Sequence, residues 1–196
     1  MNDVINLVSK FILQPVEAWG SVKDDSTTAR QHLKKYILPL TSFGAFATFI
    51  GYSFIGYGIQ KPSFSYGFSE SITKFIAIIS TIIISGFLIQ KMADLFKAHV
   101  SLDSSIKLIG FSFTPILISV ILNFIPALGL TIFIAIPYSL YILYSGFNIL
   151  ISVDENKSPV FFLFCIALVL IVYLTLALIT GALFLTFGIT SSGYIN

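Results

Sequence analysis

Apolar and polar positions divide this chain into long apolar runs joined by short polar ones. A helix that crosses a bilayer takes about 20 mainly apolar residues. Five runs meet that length: Tyr36 to about Tyr57, about Ser71 to Gln90, about Ile106 to Phe124, near Leu128 to near Ile151, and Val160 to about Phe187. The third and fourth are parted only by NFIPALG, whose proline and glycine mark a tight turn. The pattern predicts an all-α fold, a polytopic membrane protein with five transmembrane helices.

A different pattern precedes the first run. Val4, Val8, Phe11 and Ile12 share one helical face, and Asp3, Asn6, Lys10 and Gln14 share the other. Pro15 ends that helix, and Trp19 follows, a residue type at home at headgroup level. A short amphipathic helix lying in the membrane interface is expected, with packing onto the bundle as the alternative. Gly20 to Lys35 reads as a polar linker. Residues 1–35 are thus a cytoplasmic amphipathic helix and linker, and residues 36–190 the transmembrane domain.

Composition agrees. Hydrophobic residues make up 56% of the 196 and charged residues 10%, against roughly 25% charged in soluble domains. Lipid is therefore the main solvent. The net charge of +2 and the lack of a basic, aromatic-laced patch point away from nucleic acid. The distribution of charge says more than its sum. With the N-terminus inside, Lys10, Lys23, Arg30, Lys34, Lys35, Lys91, Lys97, Lys107 and Lys157 are cytoplasmic, and only Lys61 and Lys74 face out. By the positive-inside rule the N-terminus is cytoplasmic and the C-terminus lies outside.

Apart from Lys107 at the cytoplasmic edge of the third run, the apolar runs hold no internal Asp, Glu, Lys, Arg or His; Glu70 and Lys74 come closest, near the outer end of the second, at the spacing of a helical ion pair. Intramembrane ionisable groups carry proton-coupled transport, so a pump is not expected. His32 and His99 read as solvated loop residues without metal-ligand spacing. Asp154 and Glu155 shape a turn before Pro159, and Cys165, in FFLFCIALVL, acts as a small hydrophobe. No catalytic, cofactor or metal site is expected, and the chain is read as non-catalytic.

The candidate chemistry lies in PYSLYILYSGFNIL, where Tyr138, Tyr141, Tyr144, Ser145 and Asn148 fall within about 120° of helical arc. A hydroxyl facing lipid lacks a partner, so the stripe is expected to face the bundle interior. Pro115, Pro126 and Pro137 are evenly spaced, which puts Pro115 and Pro137 equally deep on the arms of the hairpin, each expected to kink its helix. Thr114 and Tyr138 are expected to satisfy the freed carbonyls across the hairpin. Two readings stay open. The stripe is interhelical glue, or it lines a polar cleft between the third and fourth helices that holds a lipid headgroup, a small solute or a partner's helix. Gly44, Ala47 and Gly51 in the first run point to close helix packing.

The stretch SSIKLIGFSFTPILISVILNFIPALGLTIFIAIPYSLYILYSGFNIL, with PVEAW and LKKYILPL before it, resembles the Yip1-domain membrane proteins. The resemblance runs from about Pro15 to the fifth helix. It implies five helices, a cytoplasmic N-terminus and a non-catalytic role; eukaryotic relatives act in trafficking between ER and Golgi with small Rab-type GTPases. Their Asp-Leu-Tyr-Gly-Pro-like motif is absent here, and the resemblance suits the bacterial branch, in the inner membrane; a eukaryotic source would imply an ER or Golgi membrane. The expected role is to organise membrane components or bind a membrane or cytoplasmic protein partner. The lipid bilayer is the first partner, and a second copy of the chain is a further one. A small passive transporter or lipid-binding protein is the alternative.

Overall fold

The structure is a computed structural model describing residues 2–23, 25–56 and 61–186, with side chains from residue 3 to residue 183 within those segments. The described residues are helical. Two short helices, α1 (Asn2–Leu13) and α2 (Pro15–Lys23), precede a bundle of α3 (Ala29–His32), α4 (Leu38–Ile50), α5 (Phe64–Met92), α6 (Leu102–Ser112), α7 (Thr114–Leu122), α8 (Ile132–Leu150) and α9 (Ser158–Thr186). Four continuous helical stretches are long and apolar enough to cross a membrane, and α6 with α7 forms a fifth, bent by 41° at its break. The protein is an all-helical membrane protein with four or five crossings.

The first crossing begins earlier than hydropathy implied, because its start is capped rather than greasy. Thr28 accepts from the Gln31 amide at 3.3 Å while the Gln31 side chain accepts from the Thr28 amide at 3.1 Å, a reciprocal cap that satisfies two orphan donors. Asp103, from α6, takes the Ala29 amide at 2.7 Å. The helix then widens over Leu33–Ile37, where the Leu38 amide reaches back to the Leu33 carbonyl. Pro39 lies in the next turn and has no N–H to give the Lys35 carbonyl. α5 likewise begins seven residues before its expected start at Ser71, under an N-cap by Ser63, whose hydroxyl accepts from the Tyr66 amide. The expected ends of the first and fifth crossings, Tyr57 and Phe187, and the C-terminal tail lie outside the described residues.

The break between α6 and α7 has a local cause. Pro115 cannot donate to the Phe111 carbonyl four residues back, and the Thr114 hydroxyl donates to that carbonyl instead, at 2.6 Å. Pro137 removes the same kind of bond, yet α8 runs unbroken from Ile132 to Leu150. Of the two expected interruptions at one depth, only that at Pro115 breaks its helix.

α6 and α7 form the centre. From Ser105 to Pro115 every residue is buried, enclosed by α4, α5 and α8, with α1 and α3 at one end. α9 leans on α5 and meets α8 at few places. Glycines permit close crossings: a Cβ on Gly86 would lie 2.6 Å from Ile106, and one on Gly44 would lie 2.8 Å from Val120. The expected ion pair of Glu70 and Lys74 is formed at 3.3 Å, and Cys165 is fully buried. At the opposite end the loop before α6 is tied to the loop before α9 by a two-bond backbone bridge of His99 and Ser152. Asp154 shapes the turn before α9, its carbonyl accepting from the Lys157 and Ser158 amides.

Candidate functional site at the basic end of the bundle

The end of α2, the start of α3, the end of α5 and the starts of α6 and α9 meet at one end of the bundle, and with them come Lys23, Arg30, Lys91, Lys97, Lys107 and Lys157. The site is built there by the N-terminal helices. Phe11 and Trp19 are fully buried, not held at a lipid interface. The Trp19 Nε1–H donates to the Ile142 carbonyl of α8 at 2.9 Å, and its ring lies against Gly146, where any Cβ would collide with the indole. A buried indole with its one donor satisfied is stable inside a protein. The amphipathic segment therefore takes the second of its two expected placements. Its apolar face packs on protein, while Ile5, Leu13 and Val16 remain more than half exposed beside the polar face.

Phe111 is the hub of what the N-terminal helices cover. Phe11 stacks on it at 4.3 Å between centroids, Trp19 meets it edge-on at 5.8 Å, and His32 and Tyr36 lie against it at 4.1 and 4.9 Å. Tyr36 is buried, and its hydroxyl lies 2.8 Å from that of Thr114. Because the Thr114 proton is committed to the Phe111 carbonyl, Tyr36 is the donor. His32 is also buried, contrary to its reading as a solvated loop residue, and its Nε2 faces Gly110 without a hydrogen-bond partner. His99, by contrast, is exposed.

Above this aromatic layer lies a polar cleft of about 180 Å³, lined by Lys23, Asp25, Thr27, Ser101, Asp103, Ser104 and Lys107 among others. Lys107 is only 5% exposed, and its ammonium donates to the Asp25 backbone carbonyl at 2.8 Å. The Asp25 carboxylate faces its own turn, accepting from the Thr27 amide at 3.0 Å and the Thr27 hydroxyl at 2.6 Å. Partial burial alone would raise the Asp25 pKa, but these two bonds and the nearby Lys107 charge hold it below the ordinary carboxylate value. A second, wider cleft of about 350 Å³ lies beside it, lined by Gln90, Asp94, His99 and Ser101 with Ala93, Ala98 and Val100.

The tyrosine stripe is placed differently from expectation. The buried face of α8 is Ala135, Ser139, Ile142, Leu143, Gly146 and Phe147, roughly opposite the stripe. Tyr141 and Tyr144 are 48% and 55% exposed, and Tyr144 meets Phe162 edge-on at 5.3 Å. Asn148 is exposed and accepts from the Ser158 hydroxyl. Ser145 is half-buried and bonds within its own helix, to the same Ile142 carbonyl that Trp19 uses. Tyr138, also half-buried, donates to the Ile12 carbonyl at the end of α1. Thr114 and Tyr138 thus serve Tyr36 and α1 and do not bond across the hairpin. The small residues of the opposite face, Ala135, Ser139 and Gly146, let α8 pack closely on that side, which turns the tyrosines outward. The polar pattern of the sequence marks none of Trp19, Tyr36, Asp25, Asp103, Lys107 and Gly146 as a site residue. The signal for the buried face was in the chain, since Ala135, Ser139 and Gly146 form the stripe of small residues that close helix packing selects.

The family model described as the Yip1 domain matches residues 10–189. No curated protein and no solved structure matches the chain.

Proposed function

Since the chain belongs to the Yip1 domain family, we propose that it is a non-catalytic scaffold that organises membrane components or binds a partner protein through its basic end. One observation carries this reading. α1 and α2 are docked onto α8 through two bonds that span most of the chain, from Trp19 to the Ile142 carbonyl and from Tyr138 to the Ile12 carbonyl, and onto α6 through the Phe111 ring. That seam is where a solute path between the third and fourth crossings would have to open, and an indole and a phenyl ring fill it. The same docking gives the basic end a fixed shape, with two polar clefts and exposed Arg30, Lys34, Lys35 and Leu95 around them. The basic residues support a cytoplasmic N-terminus and an outer C-terminus by the positive-inside rule, and a bacterial inner membrane is the setting we propose.

Photocrosslinking in cells tests the reading. A crosslinkable residue at Arg30 or Leu95 is expected to trap one reproducible protein partner, and the same residue at Lys74 none. Liposomes holding the purified protein are expected to stay tight to small solutes. Solute passage that Gly146→Val changes would overturn the scaffold in favour of a passive transporter. Thiol labelling of Cys introduced at Ser26 and at Lys74 reads the orientation: the first is expected to react only from the cytoplasmic side.

A further inference from the structure

Among the described residues no carboxylate forms an ion pair with the buried Lys107, and its packing there is incomplete. Lys107 is 5% exposed and spends one ammonium proton on the Asp25 carbonyl. An ammonium carries three donors, and burying its charge is costly unless it is paired. Among the described residues the only ion pair is that of Glu70 and Lys74. Of the described carboxylates that line its cleft, Asp25 accepts from Thr27 and Asp103 from the Ala29 amide. The ammonium lines the cleft of about 180 Å³, a volume that admits a tetrahedral anion with room for a substituent. The cleft is also lined by Lys23, the Ser26 and Ser104 hydroxyls and the first turn of the 11-residue α6, while the Asp25 and Asp103 carboxylates on the same walls are engaged by Thr27 and by the Ala29 amide. Amide donors and the helix dipole are oriented toward negative charge at such a terminus.

We propose that this cleft binds a phosphate group, with Lys107 as its buried counter-charge. The source is either an anionic phospholipid headgroup, reached from the lipid beside α2, or a free phosphate compound from solution. The proposal is independent of the scaffold reading, since crosslinking can fail while phosphate binding stands, and the reverse.

The experiment uses the full chain in detergent and in nanodiscs. Inorganic phosphate is expected to raise the melting temperature saturably where equal chloride does not, and native mass spectrometry is expected to show phosphatidic acid retained over phosphatidylcholine. Lys107→Met and Ser104→Glu are each expected to weaken binding at least tenfold. Ser104→Glu guards against a trivial loss through unfolding, because a glutamate three residues after the Ser101 cap completes a capping box and supports α6. Saturable phosphate binding with no lipid preference assigns the site to a free phosphate compound. Lipid retention that both variants abolish assigns it to a headgroup. Binding of neither probe, or binding unchanged in Ser104→Glu, overturns the proposal.

Discussion

α6 and α9 are helices of one membrane protein held in opposite ways. α9 is the most apolar of the crossings, with mean hydropathy 3.0, yet only 11% of its apolar window is buried in protein. α6 carries Ser105, Lys107 and Ser112, and from Ser105 onward it is buried completely. In water the most apolar segment seeks the interior. In lipid the apolar segment is already solvated, and what needs protein around it is the segment with polar groups to satisfy. The core of this molecule therefore gathers where α1 to α3 bring aromatic rings and hydrogen-bond partners to α6, and α9 is left to lean on α5 from the lipid side.

The sharpest break of that contrast is Trp19→Ala. Emptying a fully buried indole socket is expected to cost about 3–5 kcal/mol, whereas Leu174→Ala on the exposed face of α9 is expected to stay within about 0.5 kcal/mol. Unfolding of both variants in one detergent measures the difference, and similar losses would erase the distinction. Next comes Gly146→Val, which pushes a branched side chain into the indole and is expected to cost about 1–3 kcal/mol. Trimming the intruded ring should relieve that strain, so Trp19→Leu with Gly146→Val is expected to lose less than the sum of the single changes. Additive losses would separate the two residues.

Smaller effects sharpen the comparison within the tyrosines. Tyr36→Phe removes a buried hydroxyl bond and is expected to cost about 1 kcal/mol, while Tyr141→Phe with Tyr144→Phe is expected to change stability by no more than about 0.5 kcal/mol. The reverse order in a melting series would return the stripe to the interior. Smallest is a pH effect at Asp25. Its pKa is lowered in the folded protein, so its contribution is present above the unfolded value of about 4 and is lost as pH falls through the folded value. Amide exchange of Thr27 is expected to speed up there, and Asp25→Asn to remove that acid response.

How much of this was legible follows from what hydropathy can see. It located the crossings to within a turn or two except where a cap, not a greasy residue, begins the helix, as Thr28 and Ser63 do. It could not tell whether the apolar face holding Phe11 met lipid or protein, because both are apolar. An inward stripe around Tyr141 follows only if each hydroxyl must find a protein partner, and that premise yields to the close packing of Ala135, Ser139 and Gly146 on the opposite face of α8. Lys107 and His32 carried no pattern at all. Their burial is decided by the α2–α3 turn folding over α6, a contact between segments some 80 residues apart, as the 82-residue separation of Lys107 from Asp25 illustrates.

The Trp19 socket has a consequence for how the protein is made. The indole and the carbonyl it bonds are 123 residues apart, so the ribosome delivers the plug long before the hole. At about 5–20 residues per second the interval is roughly 6–25 s. Until Phe111 and then α8 are made, the apolar side of α1 and α2 lacks the ring and the carbonyl it packs on, and the bilayer surface is the expected waiting place of an amphipathic helix. A segment made this early is expected to lodge at the membrane face before it joins the bundle. A translation pause between α2 and α8 prolongs that residence without altering any contact of the finished fold.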